Sequence, residues 1–198
     1  MRVQQVQRDR RTEWRNTYVG MRHGESAANV RGVIASSIEA DTADLAGLTE
    51  NGRKQIREAA ESAPLGRDAL VVCSDFIRAH QSASIAAQII QCRPPIVDAR
   101  LRERDFGPLD TASAENYAHV WVADARREAV PGVEGVEAVR RRALALVDEV
   151  ETRCLARTVL LVAHGDTLQI LQTAFAGLPA ADHRALPPMR NAEIRFFN

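Results

Sequence analysis

Short runs that are apolar at nearly every position alternate along this chain with longer stretches whose apolar residues recur every three to four positions. The first pattern predicts strands buried on both faces, the second amphipathic helices. Thr17–Arg22 (TYVGMR) stops at His23-Gly24, Ala69–Cys73 (ALVVC) at Ser74-Asp75, and Val159–Ala163 (VLLVA), the most apolar, at His164-Gly165. Ile96–Ala99 reads as a further short strand and Glu193–Phe196 as a closing edge strand.

Helices fill the intervals. One opens at Leu48-Thr49, with Thr49 as N-cap, and runs to about Ser62 before Pro64. A second carries Ile77, Ile85, Ile89 and Ile90 and ends before Pro94-Pro95. Val136–Arg153 is apolar at 136, 139, 143, 146, 147 and 150, and a further helix spans about Asp166 to Ala176. Between Leu101 and Gly135 the pattern weakens to a helical stretch around Ser113–Ala125 and a Pro131-Gly132 break. Strand-helix alternation with apolar strands predicts an α/β protein, a three-layer α/β/α sandwich on a mostly parallel sheet. No repeat or low-complexity linker interrupts it. We read a single domain over 17–198, preceded by an arginine-rich N-terminal extension over 1–16.

Composition narrows the function. With 26 basic and 26 acidic residues in 198, the chain lacks the basic excess that coats nucleic acid or an acidic membrane. A local positive cluster remains compatible with that balance. Lys54 is the lone lysine; the other basic residues are arginine. Cys73, Cys92 and Cys154 are odd in number and widely spaced, which disfavours a disulfide framework or a structural metal and fits a cytoplasmic setting. No apolar run approaches the roughly 18 residues of a membrane span. Five arginines before Thr17 hint at a transit peptide, but Asp9, Glu13 and the absence of serine oppose that reading.

In open α/β sheets, ligands bind beyond the carboxyl ends of the strands. Three strands here end in chemically equipped residues: Arg22-His23-Gly24-Glu25, Ser74-Asp75 followed by Arg78, and His164-Gly165. Two guanidiniums grip a dianionic phosphoryl group by paired, charge-assisted hydrogen bonds. A neutral imidazole is a competent nucleophile, and a second, protonated one donates to a phosphoryl oxygen. Glycine after each histidine is expected to admit close backbone approach to a ligand. Each residue alone has a plainer reading as a structural histidine or a solvated arginine. Their shared position at strand ends is what favours a site.

These residues resemble the histidine phosphatase superfamily, the phosphoglycerate mutase-like fold. Met21-Arg22-His23-Gly24-Glu25-Ser26, with Asn29 following, is similar to its nucleophile motif. Ser74 to Ala83 is similar to its S-x-x-x-R-A-x-Q-T-A segment, with Ser82 in place of threonine. Leu101-Arg102-Glu103 with Gly107 resembles its acid segment, and Ala163-His164-Gly165 its second histidine. Leu48-Thr49-x-x-Gly52 and Asn191-Ala192-Glu193 also fall where the family carries similar residues. The resemblance implies that His23 is the nucleophile and that Arg22, Arg78 and His164 surround the phosphoryl oxygens. It implies that Asn29 adds a neutral donor and that Glu103 is the general acid and base. Asp105 is the backup acid, and an exposed ion pair with Arg102 or Arg104 is the plain alternative for Glu103. No cofactor and no metal is expected, because guanidiniums supply the charge.

The same site serves hydrolysis and mutase chemistry. The loop from Val30 to Ala46 lacks the tryptophan-containing segments usual in mutases, whereas Glu103-Arg104-Asp105-Phe106-Gly107-Pro108-Leu109 is similar to a mutase segment. A phosphatase acting on a small phosphorylated metabolite, or on a phosphoprotein, is the favoured reading, as a monomer or homodimer with no nucleic acid or membrane partner. Mutase-type transfer is the alternative, and a non-catalytic phospholigand-binding protein ranks below it. His119, Trp121, Arg126 and Arg127 are candidates for the substrate entrance. For each the plainer expectation is structural: Trp121 packed on the core, Arg126 and Arg127 on a solvated face.

Overall fold

In the computed structural model, which describes residues 14–198, the most apolar predicted strand sits at the centre of the sheet. The strands are β1 (Thr17–Arg22), β2 (Leu70–Cys73), β3 (Ile96–Val97), β4 (Thr158–Ala163) and β5 (Ile194–Phe196). The helices are α1 (Ala27–Arg31), α2 (Ala43–Ala46), α3 (Glu50–Ser62), α4 (Ile77–Ile90), α5 (Asn116–Ala125), α6 (Val136–Arg153) and α7 (Gly165–Phe175). Sheet order is β3-β2-β4-β1-β5, parallel except for β5, which runs antiparallel to β1 at one edge.

Alternation along β4 shows why that strand had to be apolar throughout. Val159, Leu161 and Ala163 point into a core shared with Leu146, Val147 and Val150 of α6 and Leu168 and Leu171 of α7. Leu160 and Val162 point the other way, against Ile56 and Ala60 of α3 and Ala83, Ala86 and Ala87 of α4. With a period of two, a strand covered on both faces has no position left for a polar side chain. The predicted three-layer arrangement is therefore the one observed.

Local signals set the helix ends. Thr49 accepts a hydrogen bond from the Gly52 amide at 2.9 Å and caps α3, as expected. α4 ends where Gln91 adopts φ 60°, before the two prolines. α6 has the bounds its apolar periodicity predicts. The stretch from Ala27 to Ala46, which carries no periodicity, nevertheless holds α1 and α2. Each is one turn fixed by a side-chain cap, Ser26 and Thr42 respectively, rather than by an apolar face. β3 is shorter than predicted, two exposed residues at the sheet edge.

Residues 1–13 of the predicted N-terminal extension lie outside the described residues. Trp14 packs on Tyr18 and Phe175, and buried Asn16 donates to Glu151 and to the Cys154 carbonyl. Among the described residues no helix is long and apolar enough to cross a membrane.

Candidate active site

Because β1, β2 and β4 run parallel, their carboxyl ends open on the same side of the sheet. The His23 amide donates to the Ala163 carbonyl and the Ser74 amide to the Val162 carbonyl, which extends the ladder to the residues that carry the chemistry. His23 and His164 then lie with ring centroids 5.3 Å apart. Arg78, in the first turn of α4, reaches back to them, and Phe76 meets the His164 ring edge-on at 5.3 Å.

Two hydrogen bonds select the state of His23. Its Nδ1 lies 2.7 Å from the Gly24 carbonyl, which can only accept, so Nδ1 carries a proton. Nε2 lies 3.1 Å from Nε of Arg78, which can only donate, so Nε2 presents a lone pair. Burial, with the neighbouring Arg78 and Arg22 guanidiniums, holds the His23 pKa well below the usual imidazole value and keeps the ring neutral. Burial and Arg78 hold His164 down in the same way. Nε2 of His164 is 3.0 Å from the Ser74 hydroxyl, whose oxygen already accepts from the Phe76 amide. When that hydroxyl donates to Nε2, the single imidazole proton sits on Nδ1. A neutral His164 can therefore still donate to a ligand, without the protonation the sequence argument required.

Four buried side-chain nitrogens in the described structure have no hydrogen-bond partner, and three belong to this cluster: Arg22 Nε, Arg78 Nη1 and His164 Nδ1. Each arginine is anchored to a protein carbonyl, Arg22 through Nη1 to Met189 at 2.9 Å and Arg78 through Nη2 to Ala35 at 2.8 Å. Asp41 caps α4 by accepting from the Ile77 amide and sits 3.8 Å from Arg78 Nη1, where burial raises its pKa. Fixed, buried donors need an acceptor to complete them, and on guanidiniums an anionic acceptor makes the stronger bond.

Glu103 is buried, 8% exposed, and pairs with neither neighbouring arginine. Arg102 forms a bidentate pair with Asp75 instead, at 2.9 and 2.6 Å. Arg104, 2% exposed, forms one with Asp124, at 2.6 and 2.9 Å. Oε1 of Glu103 accepts from the Arg104 amide at 2.9 Å and from the Thr167 amide and hydroxyl at 3.2 Å. Burial and the nearby Asp166 carboxylate push its pKa up, against the Arg104 amide, Arg78 and Arg22. The exposed ion-pair reading of Glu103 therefore does not hold. Asp105, the expected backup acid, is exposed, and its Oδ1 accepts from the Gly107 amide.

Above the cluster lies a pocket of about 230 Å³ lined by Arg22, Asn29, Glu103, Tyr117, Trp121 and Arg184, among others. Asn29 is in place, although its Oδ1 is occupied in a capping box with Ser26 and accepts from Asn191, leaving its amide nitrogen as the donor end. Trp121 is no core residue: its indole N–H donates to Asp166, and its ring stacks on Tyr117 at 5.4 Å. His119, Arg126 and Arg127 are exposed and do not line this pocket; Arg127 pairs with Asp182. Tyr117, Asp166, Gln169 and Arg184 line it without having been singled out in the sequence. Asp166 alone had a legible signal, two residues beyond His164 at a helix start.

The two glycines differ. A Cβ on Gly24 would lie 2.5 Å from the Gly52 carbonyl oxygen of α3, so that glycine serves packing, whereas Gly165 lines the pocket and a Cβ there would make ordinary contact with the Arg22 guanidinium at 3.6 Å. No group of three or more His, Cys, Asp or Glu among the described residues is placed to hold a metal ion.

A mostly parallel sheet whose strand ends gather two histidines, two arginines and a buried carboxyl defines an α/β enzyme of the histidine phosphatase class. The chain belongs to the histidine phosphatase superfamily (branch 1), which it matches over residues 19–198, and it is an enzyme of that phosphatase family. It is 32% identical over 187 residues to a glucosyl-3-phosphoglycerate phosphatase of Mycolicibacterium vanbaalenii, covering 88% of this chain and 80% of that protein. It is 30% identical over 181 residues to a probable phosphoglycerate mutase GpmB of Cronobacter sakazakii, with the same coverage. The native structure of a mycobacterial glucosyl-3-phosphoglycerate phosphatase superposes with a TM-score of 0.75 at 28% identity, covering 91% of this chain and 88% of that one.

Proposed function

We propose that the protein hydrolyses small phosphomonoesters without a metal, through a phosphohistidine on His23. The observation that carries this reading is one neutral imidazole whose Nε2 lone pair accepts from the Arg78 Nε–H, ringed by unpaired buried nitrogens on Arg22, Arg78 and His164. Nε2 attacks phosphorus while the bond to the ester oxygen breaks, and Glu103, whose pKa burial raises, gives its proton to that oxygen. Water then attacks the phosphohistidine, Glu103 takes back a proton, and inorganic phosphate leaves with His23 neutral again. Arg22, Arg78, His164 Nδ1–H and the Asn29 amide stabilise the equatorial oxygens throughout, so fixed guanidiniums supply the positive charge.

Hydrolysis is favoured over mutase transfer by the placement of Arg104. The Glu103–Leu109 segment is the part most similar to mutases, yet its arginine is buried against Asp124 and the Glu134 carbonyl and cannot reach a substrate. The test is turnover of p-nitrophenyl phosphate in the presence of a chelator, beside a His23→Ala variant. Absent wild-type turnover, or unchanged turnover in the variant, overturns the mechanism. Brisk conversion of 3-phosphoglycerate to 2-phosphoglycerate in the presence of 2,3-bisphosphoglycerate favours the mutase instead.

A further inference from the structure

Arg184 lines the pocket that Arg22, Asn29 and Glu103 also line, but it is not part of the phosphoryl cluster. Its guanidinium carbon lies 3.8 Å from the Trp121 ring centroid, and Nη1 donates to Oε1 of Gln169. Gln169 is itself buried and fixed, its Nε2 donating to the Leu186 carbonyl at 2.7 Å. Arg184 is thus held flat and oriented by neutral groups. Among the described residues it has no carboxylate within 4.0 Å, whereas Arg100, Arg102, Arg104, Arg127, Arg142 and Arg195 all do. The nearby Asp166 is committed to the Trp121 indole N–H and lies 3.6 Å from Arg104.

A preorganised guanidinium lining a pocket without an ion pair is a recognition element for an anion. The cluster at His23 already provides two guanidiniums, suited to a dianionic phosphoryl group. One guanidinium across the pocket suits a monoanion. Since Trp121 is engaged by Arg184 and stacked on Tyr117, charge rather than stacking is what this wall offers a leaving group. We infer that Arg184 is the specificity determinant for phosphomonoesters whose leaving group carries a carboxylate, which it binds while Arg22 and Arg78 hold the phosphoryl group. The inference rests on the phosphatase reading above.

The test is a matched substrate pair, 3-phosphoglycerate and glycerol 3-phosphate, in which a carboxylate replaces a hydroxymethyl group. Wild type is expected to show kcat/KM at least tenfold higher for the carboxylate, mainly through KM. In Arg184→Gln that ratio is expected to fall at least fivefold, and Arg184→Lys to restore part of it. The ratio is the readout, so a general loss of activity in the variants does not mimic the effect. Equal kcat/KM for the pair in wild type overturns the inference without any variant, as does an unchanged ratio in Arg184→Gln. A second pair, propane-1,3-diyl bisphosphate and 3-hydroxypropyl phosphate, tests the charge: a larger Arg184-dependent preference here than for the carboxylate pair also overturns it. If wild type turns over p-nitrophenyl phosphate yet ignores the carboxylate, this inference fails while the phosphatase reading stands. No turnover of any ester removes both.

Discussion

The Nε–H of Arg78 donates to the Nε2 lone pair of His23 at 3.1 Å, so the guanidinium that orients the imidazole also occupies the direction from which phosphorus must arrive. Substrate binding has to exchange this bond for one to a phosphoryl oxygen, with Arg78 staying anchored through Nη2 on the Ala35 carbonyl. A planar fork holds both partners in one fixed geometry, whereas the donors of an ammonium converge on a single nitrogen that cannot span the two positions. Arg78→Lys is therefore expected to lower kcat/KM for p-nitrophenyl phosphate by about 100-fold or more, as for loss of a fixed transition-state donor. Steady-state kinetics at constant pH check this.

The Ser74 hydroxyl contacts Nε2 of His164, and by donating there it would place the ring proton on Nδ1. In Ser74→Ala the Nδ1 proton is no longer specified, and a loss of roughly tenfold in kcat is expected, in keeping with one hydrogen bond of about 1–1.5 kcal/mol. Ser74→Thr, which retains the hydroxyl, should lose less. Equal losses in the two variants would contradict the tautomer argument.

The pH dependence follows from two opposite shifts. His23 must be neutral, and its pKa is lowered, so activity rises with pH at values below the usual imidazole titration near 6.5. Glu103 must be protonated, and its pKa is raised, so activity falls only at a pH above the ordinary carboxyl range. The profile of kcat/KM is expected to be a bell whose alkaline limb disappears in Glu103→Gln. That variant should lose more on an alkyl phosphate than on p-nitrophenyl phosphate, whose leaving group needs little protonation.

Gly24 is expected to be intolerant of any side chain. A Cβ there meets the Gly52 carbonyl oxygen at 2.5 Å, backbone against backbone. Gly24→Ala should cost about 2 kcal/mol of stability, the scale of overpacking in a closed core, and shift His23 with it. Urea denaturation measures the first effect, and p-nitrophenyl phosphate turnover in the folded fraction the second.

Acid should destabilise the fold before carboxylates alone account for it. His183 is buried, with its pKa lowered to about 4 chiefly by burial. Since the unfolded chain takes up the proton near pH 6.5 and the native state does not, stability falls as pH drops through that interval. The difference amounts to up to about 3 kcal/mol between pH 6.5 and pH 4. His183→Gln is expected to flatten the slope of stability against pH in that window, as followed by denaturant midpoints.

Sequence alone determined the layered α/β architecture, because a strand buried on both faces must be apolar at every position and α6 must repeat its apolar residues at helical spacing. It also determined the gathering of His23, Arg78 and His164, since parallel strands place their carboxyl ends together. Tertiary structure decided what surrounds them. Whether Glu103 met Arg102 and Arg104 or a buried niche depended on Asp75 and Asp124, which stand 27 residues from Arg102 and 20 from Arg104 in the chain. The pocket wall of Tyr117, Trp121, Gln169 and Arg184 comes from α5, α7 and the turn after it, elements with no shared spacing. The one-turn helices α1 and α2 are too short to show periodicity. Local pattern reports which face of an element is buried; it carries no record of which charge another element brings to that face, and on this the acidity of Glu103 and the isolation of Arg184 both depend.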